Sequence, residues 1–164
     1  METDDKTHKE NLIRLSKALL RVPANAPETF YEAVLSIYVC FSADPDSVGT
    51  LDRYLSPFYF RDIENGLITR NEAGEYLQEL FLMLQAATSA DSDRFTRGGE
   101  SHFCVGGYLP NGEDGFNDLS NVVSKLLLLS QRIYLRSVCV VLKKHRRKHS
   151  ALRSTAKERI LTHE

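Results

Sequence analysis

Runs of apolar residues at helical spacing, each cut off by proline, glycine or an Asn-Gly pair, restrict this 164-residue chain to packed amphipathic helices joined by short turns. Leu12, Ile13, Leu15, Leu19 and Leu20 mark a first helix over about residues 7–21, which the two prolines of VPANAP stop near Val22. Phe30, Val34, Ile37 and Cys40 or Phe41 line one stripe of a second, over about residues 27–41, with Glu28 and Glu32 in early turns, where the helix dipole favours negative charge. SADPDSVG has the composition of a loop. In LDRYLSPFYFRDIENG the period returns through Leu51, Tyr54, Leu55, Phe58, Tyr59 and Ile63, Asn-Gly caps the end, and Pro57 is expected to break or kink the helix. TRNE is a capping box in which Thr69 and Glu72 bond each other's backbone, opening a helix over about residues 70–87 with Tyr76, Leu77, Leu80, Phe81 and Leu84 on one face.

Past the polar loop TSADSDRFTRGGES the pattern changes to HFCVGGYL, a short apolar strand bounded by turn residues and closed by PNGEDG. Phe116, Leu119, Val122, Val123, Leu126 and Leu127 then describe another helix, with Asn117 or Asp118 at its start, and the β-branched IYLRSVCVVL reads as a buried strand. The expected fold is mainly α-helical with one to three short strands, an α+β domain over residues 1–131 followed by a separate segment, 132–164. Charge separates the two: residues 1–131 carry 11 Lys+Arg against 20 Asp+Glu, whereas residues 132–164 carry 10 against 2. Clustered cations can displace counterions from a phosphate backbone, but no aromatic platform is interleaved with these, so residues 143–164 read as a solvated basic tail, helix or disorder, and nucleic acid is not the expected partner.

Other functions are excluded residue by residue. No apolar run approaches the ~18 residues a membrane span needs, and METDDKTHKE has neither the basic start nor the apolar centre of a signal peptide, so the cytoplasm is expected. Cys40, Cys104 and Cys139 are odd in number and widely spaced, which signals neither a disulfide framework nor a zinc site. Cys104 has no evident base to make it a thiolate and reads as a small buried hydrophobe. The glycines at 98, 99, 106, 107, 112 and 115 fit neither GxGxxG nor the phosphate-binding GxxxxGKS/T loop, and Glu113, Asp114 and Asp118 lack the spacing of a calcium loop.

Three collinear stretches together resemble one family. LSKALLRVPANAPETFYEAVLSIYVC is similar to a pattern written VPxNPPxTFxEAxQS, SVGTLDRYLSPFYFRDIENGLITRNEAGEYLQEL to SxGRxDQYLYPYYxxDIxxGxLTxEEAxELL, and CVGGYLPNGEDGFNDLS to xxGGxxxxGxDxxNELS. These are patterns of the glycyl radical enzymes of the pyruvate formate-lyase type, whose members include glycerol, choline and hydroxyproline lyases, and the resemblance runs from near Leu12 to near Ser130.

The resemblance implies a part of an enzyme. Family members are several times longer and enclose their chemistry in a ten-stranded barrel, to which this chain would contribute outer helices and the first barrel strands. It implies no cofactor beyond a protein glycyl radical installed by a separate activating enzyme; that radical makes a thiyl radical on a cysteine, which takes a hydrogen atom from substrate. Neither the RVxGY setting of the radical glycine nor the loop of the thiyl cysteine occurs here, so no catalytic residue and no metal ligand is assigned and the chain alone is expected to be inactive. Ser47 and Asp52 carry over as substrate-pocket positions, while Gly106, Gly107, Gly112, Asp114 and Asn117 carry over as the structural motif. Thr50 and Arg53 depart from the family's arginine and glutamine. The implied partner is the remainder of the barrel or a second copy; a helical interaction module that complements a partner chain is the alternative.

Overall fold

The structure, a computed structural model, describes residues 2–43, 47–90, 102–129 and 137–141. In chain order the elements are α1 (Glu2–Leu19), α2 (Phe30–Ala43), β1 (Ser47–Thr50), α3 (Leu51–Glu64), α4 (Arg70–Ala90), β2 (His102–Gly106), α5 (Asp118–Leu129) and β3 (Ser137–Val141). The strands form one parallel sheet in the order β1-β2-β3, with Ser47 opposite His102, Thr50 opposite Cys104, and Cys104 opposite Cys139. Parallel neighbours need a crossover, which α3 and α4 supply between β1 and β2 and α5 supplies between β2 and β3.

Helix starts follow capping chemistry. Thr69 N–H donates to Glu72 Oε2 at 2.7 Å and Glu72 N–H donates to Thr69 Oγ1 at 3.2 Å, the reciprocal box expected of TRNE. A second T-x-x-E sets the start of α2: Glu32 N–H donates to Thr29 Oγ1 at 3.2 Å, which moves the start from the expected Pro27 to Phe30. The buried Asp62 of α3 completes that cap across space, accepting Phe30 N–H at 2.6 Å. An unpaired amide at a buried helix start is costly, so Asp62 locks the angle between α2 and α3.

The core lies between the helices and one face of the sheet. Phe30, Leu51, Leu55, Tyr59, Leu77, Leu80, Phe81, Leu84, Phe103, Val105, Leu119 and Val123 are each at most 2% exposed and belong to one cluster. Phe103 and Val105, two apart on β2, share the face that meets the helices, and Phe103 stacks on Phe81 of α4 with ring centroids 5.1 Å apart and planes 12° from parallel. α1 packs through a smaller cluster of Ala18, Val22 and Leu35, and Arg14 lies over the Tyr31 ring at 4.1 Å while donating to Tyr76 Oη at 2.7 Å.

Several expectations need correction. SADPDSVG is not wholly loop, because its last three residues begin β1; four residues are too few for alternation to show in sequence, and only pairing with β2 makes them a strand. Pro57 does not break α3, which runs on to Glu64; that half of the expectation fails. The first helix starts at Glu2 and closes at Leu19, a turn before Val22. Cys104 is half-buried, since it points to the sheet face opposite Phe103 and Val105. The strand expected in IYLRSVCVVL occurs as β3, while the tail beyond Val141 and most of the loop before β2 lie outside the described residues.

Candidate functional site

The stretches around Asp52, Gly106 and Asn117 converge at the carboxyl ends of β1 and β2, where parallel sheets generally place their ligands. β1 ends at Thr50 and α3 begins at once, so Asp52 falls in its first turn. Asp52 is 1% exposed, and its Oδ2 accepts Gly106 N–H, the last amide of β2, at 2.8 Å. The same oxygen accepts the hydroxyl of Ser120, which is fully buried near the start of α5. Asn117 and Ser120 cap α5 reciprocally: Ser120 N–H donates to Asn117 Oδ1 at 3.1 Å and Asn117 N–H donates to Ser120 Oγ at 2.9 Å. Asn117 Nδ2 donates to Ser56 Oγ at 2.8 Å, and the Ser56 hydroxyl donates to the Asp52 carbonyl. This closed polar ring ties α3, β2 and α5 together. Its remaining acceptor, Asp52 Oδ1, is buried without a hydrogen-bond partner.

Beyond the ring the chain makes a tight excursion. Gly106 and Gly107 sit at φ 78° and 89°, backbone that a side chain would strain, and this lets β2 turn sharply away from the sheet. The excursion closes on itself: Gly112 N–H donates to Leu109 O at 2.8 Å, Leu109 N–H to Glu113 O at 2.9 Å, and Gly115 N–H to Gly107 O at 2.7 Å. Tyr108 and Asp114 form an antiparallel bridge, and Asp114 Oδ1 accepts Phe116 N–H at 3.1 Å. A Cβ on Gly115 would lie 3.1 Å from both Gly107 O and the Arg53 guanidinium, so a side chain here would crowd the turn.

A second polar group stands one turn further along α3. Tyr59, buried, donates its hydroxyl to Asp118 Oδ2 at 2.7 Å, and Asp118 Oδ1 pairs with Arg70 at 2.7 Å. Burial and the Asp118 hydrogen bond push the Tyr59 phenol up to about 12. Asp118 thereby carries both the dipole of α5 and the link to the start of α4.

Of the residues singled out in sequence, Asp52, Gly106 and Asn117 share one hydrogen-bonded ring, and Gly107, Gly112 and Asp114 build the turn beside it. Ser47 stands apart: it is exposed, it opens β1 opposite His102, and its Oγ accepts Gly49 N–H at 3.1 Å. The two pocket candidates therefore lie at opposite ends of the strand. Sequence reasoning passed over Ser56 and Ser120 and marked Arg53 only as a departure from the family pattern; the N-x-x-S spacing of Asn117 and Ser120 is a usable signal for Ser120, whereas contacts across more than fifty residues leave none. Among the described residues, no group of three His, Cys, Asp or Glu side chains could hold a metal ion, and no helix is long and apolar enough to cross a membrane.

Comparison with known proteins agrees with this architecture. The chain is 29% identical over 138 residues to trans-4-hydroxy-L-proline dehydratase from Clostridioides difficile, and 33% identical over 136 residues to isethionate sulfite-lyase from Bilophila wadsworthia. Each match covers 74% of this chain but only 17% and 16% of those proteins, so the chain spans about a sixth of the length of the relatives it matches. Among solved structures it is similar to the hydroxyproline dehydratase of Clostridioides difficile with trans-4-hydroxy-L-proline bound (TM-score 0.62, 26% identity, 74% of this chain and 17% of that one). It is also similar to a glycyl radical enzyme from Archaeoglobus fulgidus (TM-score 0.61, 28% identity, 71% of this chain and 17% of that one). A family model described as pyruvate formate lyase-like matches residues 1–127, nearly the whole of the helical layer with β1 and β2, and the chain belongs to that family.

Proposed function

We propose that this chain forms the first part of the catalytic scaffold of a glycyl radical enzyme, a lyase that breaks a C–C, C–O or C–N bond of a small substrate, and that it is inactive without the rest. The observation that carries the reading is the site itself: the two family stretches around Asp52 and Gly106 meet through one hydrogen bond and set the glycine turn at the carboxyl ends of parallel strands. Its role is architectural. Asp52 fixes the turn from behind, Ser47 borders the pocket from the other end of β1, and the helices support the sheet from outside. The reactive cysteine and the radical glycine belong to the remainder of such an enzyme, with the radical installed by a separate activating enzyme and no further cofactor required. Cys104, half-buried on β2 immediately before Gly106-flanking Val105, is given no step in the chemistry. The names of the relatives point to small polar acids as substrates, and the reading places the protein in anaerobic metabolism in the cytoplasm.

The test is anaerobic treatment of the chain with an activating enzyme, followed by electron paramagnetic resonance. No glycyl signal is expected; a glycyl doublet from the chain alone overturns the reading. A second reading, a helical module that complements a partner chain, draws on the outer side of α1 and the residue after it, where Leu12, Ile13, Leu19 and Leu20 are 45–83% exposed. A compact monomer at micromolar concentration favours that module, whereas self-association favours a scaffold part missing its neighbours.

A further inference from the structure

The five arginines with described side chains in the helical layer are not equivalent. Arg21, Arg61 and Arg70 each pair with a carboxylate, and Arg14 lies over the rings of Tyr31 and Tyr76. Arg53 is held by backbone carbonyls: its Nη2 donates to Tyr108 O at 2.9 Å and reaches Gly106 O at 3.5 Å. Gly115 keeps open the space it occupies, because a Cβ there would crowd that nitrogen at 3.1 Å. Its Nε–H and both Nη1–H groups make no hydrogen bond or ion pair among the described residues. The side chain is exposed, at the carboxyl ends of β1 and β2. Backbone carbonyls orient a guanidinium without cancelling its charge, so three donors and a full positive charge remain for a ligand.

We propose that Arg53 is an anion-binding residue, taking the carboxylate or sulfonate of a small organic acid in a forked pair of charge-assisted hydrogen bonds. The binding stands on this geometry; identifying the anion with a substrate rests on the glycyl radical enzyme reading. Neither nearby acidic side chain competes for Arg53, since Asp52 is turned to Gly106 and Ser120 and Asp114 to Phe116.

The experiment is an NMR titration of the isotopically labelled chain with sodium acetate and, separately, sodium methanesulfonate, at ionic strength held constant with chloride. Saturable shifts are expected at the Arg53 Nε–H and at the Gly107 and Gly115 amides, with affinity falling about tenfold in Arg53→Gln. Arg53→Lys, which keeps the charge and loses the fork, is expected between the two. Tighter acetate binding assigns a carboxylate ligand and tighter methanesulfonate binding a sulfonate. Shifts that do not saturate, that survive Arg53→Gln unchanged, or that fall only in residues 143–164 overturn the proposal. Because the readout needs no radical chemistry, failure here is separate from failure of the paramagnetic resonance test.

Discussion

Asp52 and Gly106 are 54 residues apart in sequence and meet through a 2.8 Å hydrogen bond in which the last amide of β2 donates to a buried carboxylate at the start of α3. That bond connects the ends of two parallel strands through a side chain, with Ser120 of α5 as third member. Replacing Asp52 by Ala leaves the Gly106 amide and the Ser120 hydroxyl buried without this acceptor. The expected loss is about 2–4 kcal/mol of stability, with Asp52→Asn losing less because it retains an acceptor oxygen. Denaturant unfolding curves check the order; equal midpoints for wild type and Asp52→Ala would remove the ring from any account of the fold.

Hydrogen bonds from the Thr69 backbone amide and hydroxyl to Glu72 hold its carboxyl below the usual carboxylate range. A carboxyl whose folded pKa is depressed stabilises the protein above its unfolded value of about 4.5, and the contribution disappears as pH falls through the lower folded value. The melting temperature of wild type should therefore exceed that of Glu72→Gln at pH 6 and converge on it in strong acid. Thr69→Ala, which removes the other half of the box, should cost about 1 kcal/mol at neutral pH.

Tyr59 moves in the opposite direction. Its phenol, pushed up to about 12, favours the protonated form in the fold, so the stability it adds is complete below pH 10 and is lost as pH rises toward 12. Tyr59→Phe should cost about 1 kcal/mol at pH 7 by removing the bond to Asp118. Absorbance titration of tyrosinate checks the assignment: the most alkaline of the tyrosine transitions should vanish in this variant.

The Phe81–Phe103 stack joins α4 to the only strand that has neighbours on both sides among the described residues. Phe103→Ala opens a cavity at the centre of the core and should cost about 3–5 kcal/mol, much of the stability of a domain this size. Loss of near-ultraviolet circular dichroism with retained helical signal is the expected phenotype; an unchanged unfolding midpoint would show that the sheet is not part of the cooperative unit.

Local chemistry was legible. T-x-x-E marks the start of α4, and the same spacing at Thr29 and Glu32 marks that of α2, three residues after Pro27. Phe103 and Val105 were recognisable as strand residues, and alternation explains why Cys104, between them, escapes the core. The glycine turn was legible as a turn, because PNG and the flanking glycines permit few other backbones. β1 was not, since SVGT is too short for a pattern and is a strand only because β2 lies beside it.

The sequence by itself determined the helices, the cap of α4, the turn after β2 and membership of the pyruvate formate lyase-like family, all of which depend on neighbours within a few residues or on collinear motifs. Tertiary structure alone decided what the polar residues do. From local spacing alone, Asp52 and Asp62 could each have been a surface charge, one in the first and one in the last turn of α3. Instead each is 1% exposed and accepts a distant backbone amide. The physical reason is that a buried amide must find an acceptor wherever the packed chain happens to bring one, and no local spacing records which side chain that will be.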